Sequence, residues 1–135
     1  MATVSLAGLR IKDLLQPTVQ TVTAAEALAD GDVCVYDAIA ETAAKLDVTT
    51  YVGDEDVVLA ITDSALDGAV VIASSGTQFT NVTVTEGTVL FAKGDGLAGD
   101  SFSTDLSSTE RIVTLGVGLG SEFIFIPVDT GIAKT

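Results

Sequence analysis

Few residues of this chain could perform chemistry. The 135 residues include one cysteine, Cys34, and neither histidine nor tryptophan. The absence of histidine excludes a Ser-His-Asp triad, a Cys-His dyad and an imidazole metal site. Cys34 lies in an alternating apolar stretch, 33–36, where no basic neighbour would stabilise a thiolate, so we interpret it as a small core residue. A single cysteine also excludes a disulfide within the chain.

A glycine-rich segment matches the dinucleotide-binding pattern G-x-G-x-x-G. Its glycines are Gly94, Gly96 and Gly99. That pattern binds a pyrophosphate only where a helix begins inside it, because the helix N-terminus holds the phosphates. Residues 100–105 have the composition of a loop, and no strand–helix–strand unit surrounds them. We therefore predict a loop between strands and no bound cofactor.

Acidic side chains form two clusters whose oxygens could bind calcium. They are residues 54–56 and the more widely spaced Asp95, Asp100 and Asp105. Neither cluster follows the D-x-[DN]-x-[DN]-G ladder of a calcium loop, and the chain is poor in the aromatic residues that line sugar clefts. We predict no metal site, and a calcium- or carbohydrate-binding β module remains an alternative.

The charge of the chain restricts its partners. Six Lys and Arg against nineteen Asp and Glu give a net charge of −13. Scattered single cations cannot neutralise a run of phosphates, so we expect no nucleic-acid partner. No apolar run approaches the roughly 18 residues of a membrane span, and residues 1–5 lack the pattern of a signal peptide. We therefore expect no membrane partner.

The pattern of short apolar runs separated by turns predicts a mainly β protein. Seven strands are predicted, at 33–36, 57–61, 69–73, 80–85, 88–92, 112–119 and 123–128. Strands at this spacing, of about 8–12 residues, indicate a sandwich or a small barrel. Strands do not alternate with helices, which excludes a parallel α/β sheet.

Two internal segments carry helical signals. Residues 23–26 match a capping box, and Gly31 lies where such a helix would end. Either one or two helical turns over 24–29 or a polar loop would fit. The alanine-rich segment 37–46 has helical propensity, but its β context favours a turn followed by a short strand.

Residues 1–22 differ from the rest and are interpreted as an N-terminal arm before a single β domain over 23–135. Gly8 and Pro17 limit any helix here to a few turns. The segment is either a short helix packed on the domain or an arm that orders against another subunit. The partner-binding residues of such an arm would be Leu6, Leu9, Arg10, Ile11, Lys12, Leu14 and Leu15. For an arm of this kind, deleting residues 2–16 would leave the β domain folded and abolish attachment.

The strand predicted over 112–119 alternates apolar residues with Thr114, Gly116 and Gly118. A glycine inside a strand marks either a barrel corner or the close approach of another backbone. In the second case Gly116 and Gly118 would be oligomer contacts, covered in a closed ring such as a trimer. Both alternatives are open at this point.

The motifs from Gly31 onward follow a characteristic order. They are GDV at 31–33, KLD at 45–47, VLAITDSA at 58–65, DGAVVI at 67–72, VTEGTVLF at 84–91 and VTLGVGL at 113–119. This order resembles that of the head decoration, or capsid cement, proteins of tailed phages, over residues 31–128. The resemblance implies a small antiparallel β-barrel or β-tulip-like sandwich, a homotrimer, and a position where major capsid subunits meet. It also implies an N-terminal arm that contacts the shell, and it supplies no catalytic residue.

Residue chemistry and motif order predict the same class of protein. We expect a non-enzymatic virion component without a cofactor, made in the host cytoplasm, that binds the major capsid protein on the outer surface of the head. Because it would bind only the assembled shell, it would stabilise that shell by mass action. A tail or fibre subunit of a phage virion is the alternative.

Overall fold

The computed structural model describes residues 3–12, 19–100 and 106–135, whose regular structure is almost entirely β. A single 3-10 turn, Gly94–Gly96, interrupts the strands of these residues. In chain order the strands are β1 Thr3–Val4, β2 Arg10–Ile11, β3 Val19–Ala24, β4 Val33–Asp37, β5 Thr42–Lys45, β6 Asp56–Ala60, β7 Ala69–Ala73, β8 Thr77–Val84, β9 Val89–Ala92, β10 Ala98–Gly99, β11 Arg111–Gly118 and β12 Gly120–Ala133.

The strands form a closed barrel and a curled seven-stranded sheet. The barrel has the order β3-β5-β4-β6-β7, and the sheet has the order β1-β10-β9-β11-β12-β8-β2. All neighbouring pairs are antiparallel except β3 with β5, which run parallel. The predicted fold class, a mainly β protein with a small barrel, is confirmed, and the single parallel pair is a departure from it.

The barrel interior is filled by short side chains. Cys34, Val58, Ala60, Val70 and Ile72 are all buried in one cluster there. Small residues suit this position because five strands enclose little space. Successive residues of a strand point to opposite faces, so the neighbours of these residues point outward.

A larger core lies between the outer wall of the barrel and the inner face of the sheet. Val33 and Leu59, from the barrel, belong to the same buried cluster as Phe79, Phe123 and Phe125 from the sheet. The rings of Phe123 and Phe125 lie with their centroids 6.4 Å apart. Strands β4 and β6 therefore bury both faces, and the barrel and sheet share one core.

Each of the seven predicted strands overlaps a strand of the structure. Residues 38–41 form a turn followed by β5, as the β context favoured over helical propensity. The capping-box segment 23–26 forms the end of β3 and a bend, so the helical alternative for 24–29 is wrong.

Residues 3–12 join the two edges of the curled sheet. Strand β1 pairs with β10 at one edge, and β2 pairs with β8 at the other. The turn between them is attached to the rest of the chain at Gly8, whose N–H donates to the Asp30 carboxylate at 2.7 Å and whose carbonyl accepts from Asn81 Nδ2 at 2.8 Å. These residues form two strands and a turn rather than a helix.

Candidate interaction surfaces

Cys34 is buried inside the barrel, where its Sγ lies 3.5 Å from the Asp32 carbonyl. Burial, reinforced by the negative charge of Asp32, raises the pKa of the thiol to about 12. A thiol that stays protonated and is shielded from solvent is a poor nucleophile. The interpretation of Cys34 as a core residue is therefore confirmed by its position.

The glycine-rich segment 94–99 forms the 3-10 turn and then β10, and no helix begins within it. Gly96 has a φ of +73° and lies so close to the Lys45 side chain and the Val33 carbonyl that a Cβ would be 3.1 to 3.2 Å from them. A glycine at position 96 therefore allows the sheet to pack closely on the barrel. The predicted loop is confirmed for residues 94–97, whereas Ala98–Gly99 form β10 and residues 101–105 lie outside the described residues.

The acidic clusters do not converge on a metal site within the described part of the chain. No group of three or more Cys, Asp or Glu side chains there is placed to hold a metal ion. Asp105, a member of the second predicted cluster, lies outside the described residues.

The predicted arm residues are divided between the core and the surface. Leu6 and Leu9 are only 3% and 5% exposed and belong to the larger core. Ile11 is half-buried against the same core, whereas the Arg10 and Lys12 side chains are exposed. Leu14 and Leu15 lie outside the described residues. For residues 3–12 the structure supports packing on the domain, and it leaves Leu6 and Leu9 unexposed to a partner.

The glycines of β11 accommodate strands of the same chain. Gly116 has a φ of +138°, and a Cβ there would collide with the Ile124 carbonyl oxygen of β12, at 1.9 Å. A Cβ at Gly118 would lie 2.2 Å from Val84 Cγ1. The close approach that the sequence indicated is therefore made within the chain. The trimer prediction loses this basis, and the trimer itself stays a prediction.

An irregularity at Gly116 divides the row of apolar side chains that alternation predicts for one side of β11. The pairing register of β11 shifts between Thr114 and Gly116, against both β9 and β12. Val113 and Leu115, before the shift, point into the core, but Val117 and Leu119, after it, are more than a third exposed. The shift moves apolar side chains from the inner to the outer surface of the sheet.

Val117 and Leu119 belong to a larger apolar surface on β9, β11, β12 and the turn between β11 and β12, which we call the apolar face. Register aligns Val89, Val117 and Ile124 in one row across the three strands. Ile126 and Val128 continue the surface along β12 and are 48% and 50% exposed. The apolar face consists of Val89, Val117, Leu119, Ile124, Ile126 and Val128.

A polar network holds the 51–55 loop against β11 and β12. Arg111 donates from Nε and Nη2 to the two oxygens of Asp129, both at 2.7 Å, and its Cζ lies 5.7 Å from the centroid of the Tyr51 ring. Hydrogen bonding from Arg111 lowers the pKa of Asp129. The Tyr51 hydroxyl donates to the Glu55 carbonyl. Sequence reasoning missed this network because its members are distant along the chain and match no motif.

Comparisons with family models, curated proteins and solved structures found no match for this chain. The resemblance to phage head decoration proteins therefore rests on the sequence motifs and stays a prediction. Among the residues that the structure describes, no helix is long and apolar enough to cross a membrane.

Proposed function

We propose that this chain is a non-enzymatic structural subunit of a virus particle, a decoration protein that attaches to the major capsid protein on the outer surface of the head. The order of the sequence motifs supports this assignment. The observation in the fold that carries it is the apolar face, because a chain that acts by attachment needs a surface built for contact.

The apolar face is unusual on a chain with a net charge of −13. Contiguous exposed apolar surface on a soluble protein marks a site of interaction. Here Val89, Val117 and Ile124 are direct neighbours across three strands. On the opposite side of the same sheet, Phe123 and Phe125 are fully buried. The face is therefore displayed on a well-packed sheet, which limits the conformational entropy that attachment would cost.

Attachment through this face would be driven by removing apolar side chains from water. Complete burial of an exposed Val, Leu or Ile side chain contributes about 1.5–3 kcal/mol. Val128 and Ile126 are about half exposed, so each would contribute roughly half of that amount. A contact of this size at each of many lattice positions would stabilise the assembled shell relative to its dissociated subunits.

The exposed cations Arg10, on β2, and Lys12, directly after it, lie at one edge of the same sheet. Lys12 pairs with Glu122 at 2.8 Å, so that edge is less acidic than the chain as a whole. A less acidic edge, separated from the apolar face by β8 alone, would reduce repulsion from an acidic capsid surface. We also propose that Arg10 and Lys12 take part in partner binding and that the chain forms a homotrimer.

The location of the protein in purified phage particles tests the proposal. Gold-labelled antibodies against the chain should bind the outer surface of the head. Label on the tail would favour the tail or fibre alternative, and absence of the chain from the particle fraction would overturn both assignments.

A matched pair of variants tests the contribution of the apolar face. Leu119→Asp changes a residue of the face, whereas Leu66→Asp introduces the same change at a 60% exposed leucine in the turn before β7. We expect Leu119→Asp to reduce occupancy on the head at least about tenfold, equivalent to about 1.4 kcal/mol. Leu66→Asp should leave occupancy unchanged.

A further inference from the structure

We propose that a groove between β6 and β12 binds an extended, basic peptide segment as an added strand. The groove has a volume of about 390 Å³. Its walls include Asp56 and Val57 of β6 on the barrel side and Pro127 and Asp129 of β12 on the sheet side. This proposal does not depend on the capsid assignment, because it follows from strand edges and charge alone.

One wall of the groove is a strand edge that lacks a partner. Strand β12 continues to Ala133, but its pairing with β8 ends at Phe125. Beyond Phe125, β12 has β11 on one side and no strand of the described residues on the other. Pro127 has no N–H and the Gly131 N–H already donates to Asp129 Oδ1, so this edge offers mainly carbonyl acceptors. Open backbone groups of this kind are a template for another strand.

The other wall is also an incompletely paired edge. Strand β6 pairs with β4 over Asp56–Leu59, but with β7 only at Leu59 and Ala60. The segment from Asp56 to Val58 therefore has one strand neighbour among the described residues. Two open edges face each other across one groove.

The register of β6 shows which backbone groups face the groove. Ala60 N–H donates to the Asp32 carbonyl, and Gly31 N–H donates to the Ala60 carbonyl, so Ala60 directs its backbone groups toward β4. Backbone groups alternate between the two edges along an antiparallel strand, so Leu59 and Val57 direct theirs toward the opposite edge. Leu59 meets Ala73 of β7 there, whereas Val57 faces the groove.

The charge of the groove selects a basic occupant. Glu55, Asp56 and Asp129 line it, and Asp54 is adjacent in sequence. Arg111 pairs with Asp129, so Glu55, Asp56 and Asp54 supply the charge that an occupant would meet. Partial burial and the nearby negative charges of Asp54 and Asp37 raise the pKa of Glu55, as expected in a field of like charge. Lysine or arginine side chains of an added strand would reduce this repulsion.

A second copy of this chain fits the groove poorly. Each copy carries a net charge of −13, so two acidic grooves would repel each other. Pro127 has no backbone N–H to offer, which interrupts the continuous ladder that two β12 edges would need. A basic strand of another protein avoids the repulsion and can still bond to the edge of β6.

Fluorescence anisotropy with synthetic peptides tests the proposal. The probe is an eight-residue peptide that alternates lysine with valine, and the control peptide has glutamate in place of lysine. We expect the lysine peptide to bind the full chain at least about tenfold more tightly, and a lysine peptide with alternate backbone nitrogens methylated to bind at least about tenfold more weakly than the unmethylated one.

Matched variants place the binding site. Asp56→Asn should weaken the lysine peptide severalfold, whereas Glu86→Gln, which removes one charge in the exposed turn before β9, should weaken it much less. In amide hydrogen exchange, Val57 N–H should gain protection when the peptide is present. Equal binding of methylated and unmethylated peptides, equal effects of the two variants, or no binding at millimolar concentration would each overturn the proposal.

Discussion

Gly31 and Leu6 are in direct contact through their main chains. A Cβ added at Gly31 would lie 2.5 Å from both the carbonyl carbon and the carbonyl oxygen of Leu6. Gly31 precedes β4 of the barrel, and Leu6 lies in the turn between the two edge strands of the sheet. The contact therefore joins the N-terminal residues to the barrel at a place where only glycine fits.

Gly31→Ala should destabilise the protein by more than the backbone strain of an alanine at positive φ. Gly31 has a φ of +88° and Gly76 a φ of +95°, but a Cβ at Gly76 would meet no described atom within 4 Å. Gly76→Ala should cost about 1–2 kcal/mol from backbone strain. Gly31→Ala should cost about 1–3 kcal/mol more, because the Leu6 main chain must move. Urea unfolding measures the loss of unfolding free energy in both variants. Equal losses would show that the Leu6 main chain moves aside without destabilising the protein.

Leu6 and Leu9 should behave as core residues of the domain. Leu6→Ala and Leu9→Ala are each expected to cost about 2–5 kcal/mol of unfolding free energy, because both side chains are buried. Leu66→Ala, at an exposed position, should change it by less than about 0.5 kcal/mol. Thermal and urea unfolding followed by circular dichroism measure these differences.

The same burial changes the expectation for truncation. From the sequence, deleting residues 2–16 would leave the β domain folded. With both sheet edges paired to residues 3–12, we now expect the truncated chain to lose cooperative unfolding. A truncated chain with an unchanged melting temperature would contradict this.

Gly118→Ala should impair folding of the single chain rather than its association. A Cβ at Gly118 would lie 2.2 Å from Val84 Cγ1, whereas one at Gly94 would meet no described atom within 4 Å, and neither glycine has a positive φ. We expect Gly118→Ala to cost about 1–3 kcal/mol and Gly94→Ala less than about 0.5 kcal/mol. Unfolding and light scattering together distinguish the outcomes. Normal stability with a reduced oligomeric state would restore Gly118 as an oligomer contact.

The Arg111–Asp129 pair should make stability depend on pH in the acid range. Hydrogen bonding from Arg111 lowers the pKa of Asp129 in the folded protein. The pair therefore contributes its full stabilisation above the unfolded pKa of about 4, and loses it as the pH falls through the folded value. Asp129→Asn should be less stable than the wild type at pH 7, and the difference should narrow at low pH. A difference that is constant from pH 7 to pH 2 would contradict this linkage.

Local signals in the sequence predicted the strands that have apolar runs bounded by turns. Strand β7, for example, occupies the predicted residues 69–73, directly after the Asp67-Gly68 turn. Strands β1, β2 and β10 have two residues each, so they carry no periodicity, and only pairing with distant strands defines them. Strand β3 crosses the predicted boundary between the arm and the β domain, at residues 22 and 23. Polar residues occupy three of its six positions, so no apolar run indicates this strand.

The candidate surfaces were less predictable than the strands. The glycine spacing in β11 indicated a close approach, but not that Ile124 and Val84 of the same chain make it. Nor could alternation reveal the register shift at Gly116, which turns Val117 outward. Register shifts and open strand edges depend on how strands pair, and the pairing cannot be predicted from the sequence of one segment.

Density of a decorated head, resolved at the level of strands, tests the central proposal most directly. We predict that the chain lies on the outer surface of the shell with Val117 and Val128 of the apolar face against the capsid subunits. A chain that is bound with this face open to solvent, or heads that carry no such density, would contradict it.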